Sequence, residues 1–189
     1  MTRTRWIQLL SLPFFLALVF GPAHGQTRDH LTPQEVELIQ ESQLLDKRTD
    51  VFIMAIERRL LALNGTQPSN AKQLQKEADK WGELPTGSKA ELIGDIARIL
   101  EEAITNLDDV SYHDEKSPLL AKSLRKLDVT AQQLVTQLTP ISEQSNNPGE
   151  VSSANQALDN ARSIIDAAKK LPPPTEPEKT KGKTKKVKG

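Results

Sequence analysis

The sequence predicts an all-α protein: an up-and-down four-helix bundle with one additional short helix, preceded by a signal peptide and followed by a disordered basic tail. Apolar residues recur every three or four positions through most of the chain, which is the spacing of one face of an α-helix. Capping residues and prolines mark several helix starts, and no segment shows the strict alternation of a half-buried strand. We therefore assign residues 1–25 to the signal peptide, 26–170 to one helical domain and 171–189 to the tail.

The first 25 residues have the three-part order of a secretory signal. Arg3 and Arg5 are followed by the apolar run Ile7–Phe20 and then by small residues, with a cut expected after Gly25. The apolar run is shorter than the roughly 20 residues that cross a bilayer. We expect a cleaved signal, a periplasmic or extracellular location and no membrane span after cleavage. An uncleaved membrane anchor is the alternative.

The first helix of the domain is predicted to begin at Pro33. Thr32 and Glu35 form a capping box around this proline, which suits the first position of a helix. Apolar residues then follow one face until Asn64–Gly65 stops the helix. The result is a single helix of about 30 residues, in which the polar stretch 46–50 marks a bend or the outer face.

The additional short helix and three longer helices follow. Ser69 is predicted to cap the short helix, which ends at Trp81. The later helices are expected to begin at the second capping box Ser88–Glu91, at Ser117–Pro118 and within 146–149. The helix after Ser117 carries an apolar seam at heptad spacing: Leu120, Leu124, Leu127, Ala131, Leu134, Leu138 and Ile141. The last helix is rich in alanine, which should let it lie close to its neighbours.

The connections between the long helices determine the predicted arrangement. Short connections favour antiparallel neighbours, and this is the basis for the up-and-down bundle. Two alternatives remain open: an open helical array, and a longer helical hairpin that is completed by a homodimer.

The chain has no net charge, but its charges are unevenly distributed. Residues 26–170 hold 23 acidic side chains against 17 lysines and arginines, whereas the tail holds six lysines and two glutamates. The proline-rich start of the tail should be extended and its lysine-rich remainder disordered. Lys183, Lys185 and Lys186 are therefore candidates for contact with an anionic surface of the cell envelope. A solubilising tail is the alternative.

Familiar enzyme and nucleotide motifs are absent from the sequence. Gly82–Lys89 has the glycine spacing of a phosphate-binding loop, but it ends in Ser-Lys instead of Lys-Ser and follows a helix. The sequence contains neither a Gly-x-Ser-x-Gly motif nor a cysteine. After signal removal only Phe52, Trp81 and Tyr112 are aromatic, which disfavours a base-stacking surface. We expect no enzymatic activity, no nucleotide or other cofactor, and consider nucleic acid a disfavoured partner.

The segment Asp108–Glu115 is the densest group of potential metal ligands. If the helix continues through it, Asp109 and His113 are four residues apart and share a face. One imidazole and several carboxylates can hold a divalent ion, but zinc sites generally use more nitrogen or sulfur ligands. The alternative is a solvated helix end.

Trp81 and Leu84 are candidates for contact with a protein partner. Tryptophan is enriched at binding hot spots, and this one stands beside the turn-rich connection 82–87. The alternative is that Trp81 packs the short helix onto the bundle, since a single large ring in an aliphatic protein is usually buried.

The pentapeptide Leu31-Thr32-Pro33-Gln34-Glu35 resembles the Leu-Thr-x-x-Gln motif of small exported helical chaperones of the Spy and CpxP kind. The resemblance covers only these five residues, and the last of them differs, since this chain has Glu35 where that family has glutamine. It implies, by analogy, an exported helical protein that works without a cofactor.

Three functional hypotheses follow. The first is a non-enzymatic binding or structural protein of the periplasm or cell envelope that acts through its helix faces. The second is a small exported chaperone or stress-response protein, which needs an exposed apolar groove. The third is a metal-binding protein or metal-dependent enzyme centred on Asp109 and His113.

Overall fold

The computed structural model describes residues 28–65 and 79–172. Within these residues five helices run in the order α1 (Pro33–Glu41), α2 (Leu45–Asn64), α3 (Lys89–His113), α4 (Pro118–Gln144) and α5 (Pro148–Ala168), and no strand occurs. The all-α class predicted from periodicity is therefore confirmed for this part of the chain. The signal peptide and the lysine tail lie outside the described residues, as does most of the short helix, of which 79–81 are helical.

The helix ends follow the predicted capping chemistry. The Thr32 hydroxyl accepts the backbone N–H of Glu35, whose carboxylate accepts the backbone N–H of Thr32 at 2.9 Å. Ser88 and Glu91 form the same reciprocal pair at the start of α3. Gly65 ends α2 in the left-handed conformation with φ of 57°, which glycine adopts without a steric cost.

The single long first helix predicted from the sequence is wrong, because the chain breaks it at residues 42–44. Leu44 is extended, with φ of −85° and ψ of 134°, and α2 begins at the next residue. The Ser42 carbonyl, released from the helix, accepts a hydrogen bond from the Arg48 guanidinium at 3.1 Å. The polar stretch 46–50, predicted to mark a bend or the outer face, lies inside α2, and two of its residues, Asp46 and Thr49, are buried. The break redirects the chain, so that Leu38 and Leu45 enter different apolar clusters.

Side-chain contacts give the relative directions of the helices. α2 packs antiparallel to α3, because Arg48 near the start of α2 bonds Asn106 near the end of α3 at 3.0 Å. It packs parallel to α4, because Lys122 pairs with Asp46 and, one turn further along both helices, Lys126 pairs with Asp50. The Lys122 ammonium hydrogen-bonds the nearly buried Asp46 carboxylate and holds the pKa of that group below its usual value.

α5 packs against both α3 and α4. It runs parallel to α3. Lys89 at the start of α3 pairs with Glu150 at the start of α5, and further along both helices Asn160 of α5 donates to the Ala97 carbonyl of α3. It runs antiparallel to α4, which it follows after a three-residue connection. The backbones of α2 and α5 stay apart, and the consecutive helices α3 and α4 share only limited contact. The expectation that every consecutive pair would be close neighbours therefore fails for α3 and α4.

The main core lies between α2, α3, α4 and α5. Apart from Phe52, its side chains are aliphatic, and they include the middle of the predicted α4 seam, where Leu127, Ala131, Leu134 and Leu138 are fully buried. Three alanines of α5 are also fully buried: Ala154, Ala157 and Ala161. A second, smaller cluster holds Leu38, Val51 and Trp81 beside α1. None of the described helices is long and apolar enough to cross a membrane.

Candidate functional site

Trp81, the first predicted partner contact, lies inside the molecule. Its side chain is 7% exposed and packs with Leu38 and Val51, so the ring lies between α1 and α2. Most of the short helix that Trp81 was predicted to pack onto the bundle lies outside the described residues. The Arg58 guanidinium lies 5.9 Å from the ring centroid and donates to the backbone carbonyls of Trp81 and Gly82. Gly82 has φ of 67°, and a Cβ there would lie 3.0 Å from the side chain of Gln34.

A buried ionic cluster stands beside this tryptophan. Glu35 is fully buried and accepts from Arg58 at 3.2 Å and from both terminal nitrogens of Arg59 at 2.7 Å. Arg59 is 1% exposed and also donates to the backbone carbonyls of Ala55 and His30. Buried charges at this depth require such pairing, because an isolated one is costly to desolvate. The cluster is a structural element that ties α1 to α2.

Residues 28–32, the N-terminal strap, cross α2 and α3 just before α1. Arg28 donates to Asp95 at 2.9 Å and its carbonyl accepts from Arg98, while His30 contacts Glu102 at 3.0 Å. Asp95 is fully buried, and burial raises the pKa of its carboxyl group against the opposing effect of the Arg28 charge. The strap is therefore an integral part of the fold.

Leu84, the second predicted partner contact, is 38% exposed and lines a shallow opening of about 590 Å³ between the strap and the 83–86 connection. Charges of both signs surround this opening, with Arg28 and Arg59 against Asp29 and Glu83. The guanidinium group of Arg28 already binds Asp95 within the fold, and that of Arg59 binds Glu35. The opening therefore offers neither a dominant charge nor an apolar surface to a ligand.

The predicted metal ligands lie at the exposed end of α3. His113 Nδ1 is 2.8 Å from the Asp109 carbonyl oxygen and 3.6 Å from its carboxylate, and both side chains are mostly exposed. Among residues 28–65 and 79–172, no group of three or more His, Cys, Asp or Glu residues is placed to hold a metal ion. Asp109 and His113 form a solvated helix-end pair in this structure. Lys183, Lys185 and Lys186 lie outside the described residues.

An apolar cleft opens at the end of the molecule where α3 ends and α4 begins. Its volume is about 630 Å³, within the range of roughly 300–1,000 Å³ that is typical of small-molecule sites. Its walls are aliphatic and come from three helices and the segment after α5: Ile104, Leu107, Leu120, Ala121, Leu124, Ile164, Ala167 and Leu171. Leu107 and Ile164 form its buried floor, whereas Ile104, Leu120, Leu124 and Ala167 remain partly exposed.

The cleft results from how the three helices meet. α3 and α4 are joined by the short connection 114–117 but pack mainly against other helices, so their joined ends leave space between them. The small side chains of Ala121 and Ala167 widen it. Pro172 closes one side, and its carbonyl accepts a hydrogen bond from Arg125 at 2.6 Å.

Polar groups occur at the rim of the cleft. Asp108 and Glu115 contribute two exposed carboxylates, Lys116 one ammonium group, and Ser111 and Ser163 two hydroxyls. The sequence pattern placed Asp108 and Glu115 in a candidate metal cluster but did not reveal the cleft beside them. A signal was present, since Leu120 and Leu124 belong to the α4 seam, yet only the packing shows that this end of the seam is left uncovered.

Comparison of the chain with protein-family models, with curated proteins and with solved structures found no match. The likeness to the Spy and CpxP chaperones therefore rests on residues 31–35 alone. In this structure those residues form the end of the strap and the start of α1, and Glu35 is the centre of the buried ionic cluster.

Proposed function

We propose that this protein is an exported, non-enzymatic binding protein of the periplasm or cell envelope, and that it binds an apolar ligand in the cleft between α3, α4 and α5. The observation that carries the proposal is the cleft itself: about 630 Å³ of space that is open to solvent and walled by partly exposed aliphatic side chains. Burial of apolar surface in such a site is the main source of ligand affinity.

The proposal includes a four-helix bundle as the scaffold. We infer that α2, α3, α5 and α4 surround one core in that cyclic order, with α1 and the strap packed outside it. The pairwise packing of these helices supports this arrangement, because each of the four contacts two neighbours extensively. Consecutive helices then run in opposite directions along the sequence. The α3–α4 connection joins two helices that lie diagonally across the bundle and are not neighbours. Such a crossing leaves a gap at the end of the bundle where the cleft lies.

The experiment that tests the proposal is titration of the full chain with a nonionic alkyl maltoside below its critical micelle concentration. The matched variants are Ala121→Trp, which fills the cleft, and Gln133→Trp, which places the same ring on an exposed position of the same helix. We expect saturable binding by the natural chain and by the Gln133 variant, with at least about tenfold weaker binding by the Ala121 variant. Equal binding by both variants contradicts the proposal.

A small exported chaperone is the second candidate. The cleft favours it as well, because an open apolar surface is what a chaperone uses to hold unfolded chains. The two functions differ in the ligand. A chaperone suppresses the aggregation of an unfolded client at near-stoichiometric amounts, and the Ala121→Trp variant should lose this effect. A small-molecule binding protein leaves aggregation unchanged.

The tail is proposed as an electrostatic tether to anionic polymers or headgroups of the envelope. The six lysines support this role, since their attraction to an anionic surface adds up and is screened by salt. The test compares anionic vesicle binding by two triple lysine-to-glutamine variants of equal charge, one at Lys183, Lys185 and Lys186 and one at Lys47, Lys169 and Lys170. Only the tail variant should lose low-salt binding. Equal losses contradict a tether.

A further inference from the structure

The charges at the cleft are distributed unevenly. The deeper wall carries no charged side chain among the lining residues, and the rim has Asp108 and Glu115 against the single ammonium group of Lys116. Asp109 and Asp114, which flank these positions in sequence, are also exposed at the same end of α3. The mouth of the cleft is therefore acidic while its interior is apolar.

Three cations of α4 are engaged away from the carboxylates of this mouth. The Arg125 guanidinium is bound to the Pro172 carbonyl at 2.6 Å, on the side of the cleft formed by the segment after α5. Lys122 and Lys126 pair with Asp46 and Asp50 of α2, away from α3. No salt bridge involves Asp108 or Glu115 in the part of the chain that the structure describes.

From this arrangement we propose that the cleft takes a small cationic amphiphile: an alkyl or aryl chain inside, with an ammonium or guanidinium head group at Asp108 and Glu115. The proposal rests on the binding function proposed above and specifies the ligand class. An anionic amphiphile of the same chain would place its charge beside two carboxylates. A long polypeptide is less suited, because the cleft is confined to the joined ends of three helices.

The two parts of the ligand contribute differently to affinity. Each methylene buried in the aliphatic interior should tighten binding about fourfold, which corresponds to the transfer of one methylene from water. The head group at the solvated rim should contribute less than the chain as a whole, about twofold to fivefold at low salt, and this preference should shrink as salt is added.

The test uses three probes with the same decyl chain: decyltrimethylammonium, decyl maltoside and decyl sulfate. Each is titrated calorimetrically into the full chain, below its critical micelle concentration and at low salt. We expect the ammonium probe to bind tightest and the sulfate probe weakest. The variant Asp108→Asn with Glu115→Gln should remove this order while keeping the affinity for the maltoside.

The matched control is Glu101→Gln with Glu143→Gln, which removes two exposed carboxylates outside the cleft and should leave the order unchanged. If the maltoside binds in the cleft but the ammonium probe binds no tighter, the head-group assignment is overturned and the binding function stands. If the ammonium preference persists in the rim variant, the assignment is overturned as well. If none of the probes binds, the proposed binding function itself fails.

Discussion

Glu35 makes two sets of interactions, and the sequence pattern reveals only one of them. Its carboxylate caps α1 through the Thr32 backbone, as the capping box predicts, and it also accepts from Arg58 and Arg59. The second set favours a carboxylate over an amide at position 35. A neutral amide offers one acceptor oxygen and no charge to two buried guanidinium groups.

Replacement of Glu35 should therefore destabilise the fold strongly. We expect Glu35→Ala to cost about 3–5 kcal/mol in the free energy of unfolding, because it removes the buried carboxylate that pairs with both Arg58 and Arg59. Glu35→Gln should cost less but remain clearly destabilising. Urea unfolding followed by circular dichroism measures both.

The control for this prediction is Glu37→Ala, at an exposed position of the same helix. It should change the unfolding free energy by less than about 0.5 kcal/mol. A Glu35→Ala chain as stable as the Glu37→Ala chain contradicts the role assigned to the buried cluster.

At the scale of the elements, the helix boundaries were predictable where they depend on local chemistry. The capping boxes at Thr32 and Ser88 and the glycine stop at Gly65 are short-range features, and all three appear where the sequence places them. The break at residues 42–44 was not predictable in this way. Arg48 bonds the Ser42 carbonyl across the break, and Trp81, which is distant in sequence, offers Leu38 a second apolar cluster. Helix periodicity reveals neither contact.

The alanine-rich face of α5 controls how closely this helix approaches α3 and α4. Ala161 is fully buried in the main core, whereas Gln156 on the same helix is exposed. We expect Ala161→Leu to destabilise the protein by about 1–3 kcal/mol, because a packed core has no room for three more carbons. Gln156→Leu should change stability by less than about 0.5 kcal/mol. Thermal unfolding of the two variants checks this, and equal melting temperatures would contradict close packing of α5.

For the molecule as a whole, the sequence predicts the helical class but does not predict the cleft. Periodicity identifies which residues of α4 face inward, and the middle of that seam is buried as expected. α3 and α4 each pack more extensively against α2 and α5 than against one another, and this long-range packing sets their relative placement. The α4 seam predicts that Leu120 and Leu124 lie in the core, whereas in the structure they line the cleft. The local sequence does not specify which part of a seam another helix covers.

We propose that the cleft at the joined ends of α3, α4 and α5 is where this protein binds an apolar ligand. Its most direct test is a methyl-resolved NMR titration of the full chain with decyl maltoside below its critical micelle concentration. We expect saturable shifts concentrated at Ile104, Leu107, Leu120, Leu124 and Ile164, with little change at the exposed Leu84 and Val129. Absence of saturable shifts at the cleft, or larger shifts at Leu84 and Val129, would contradict it.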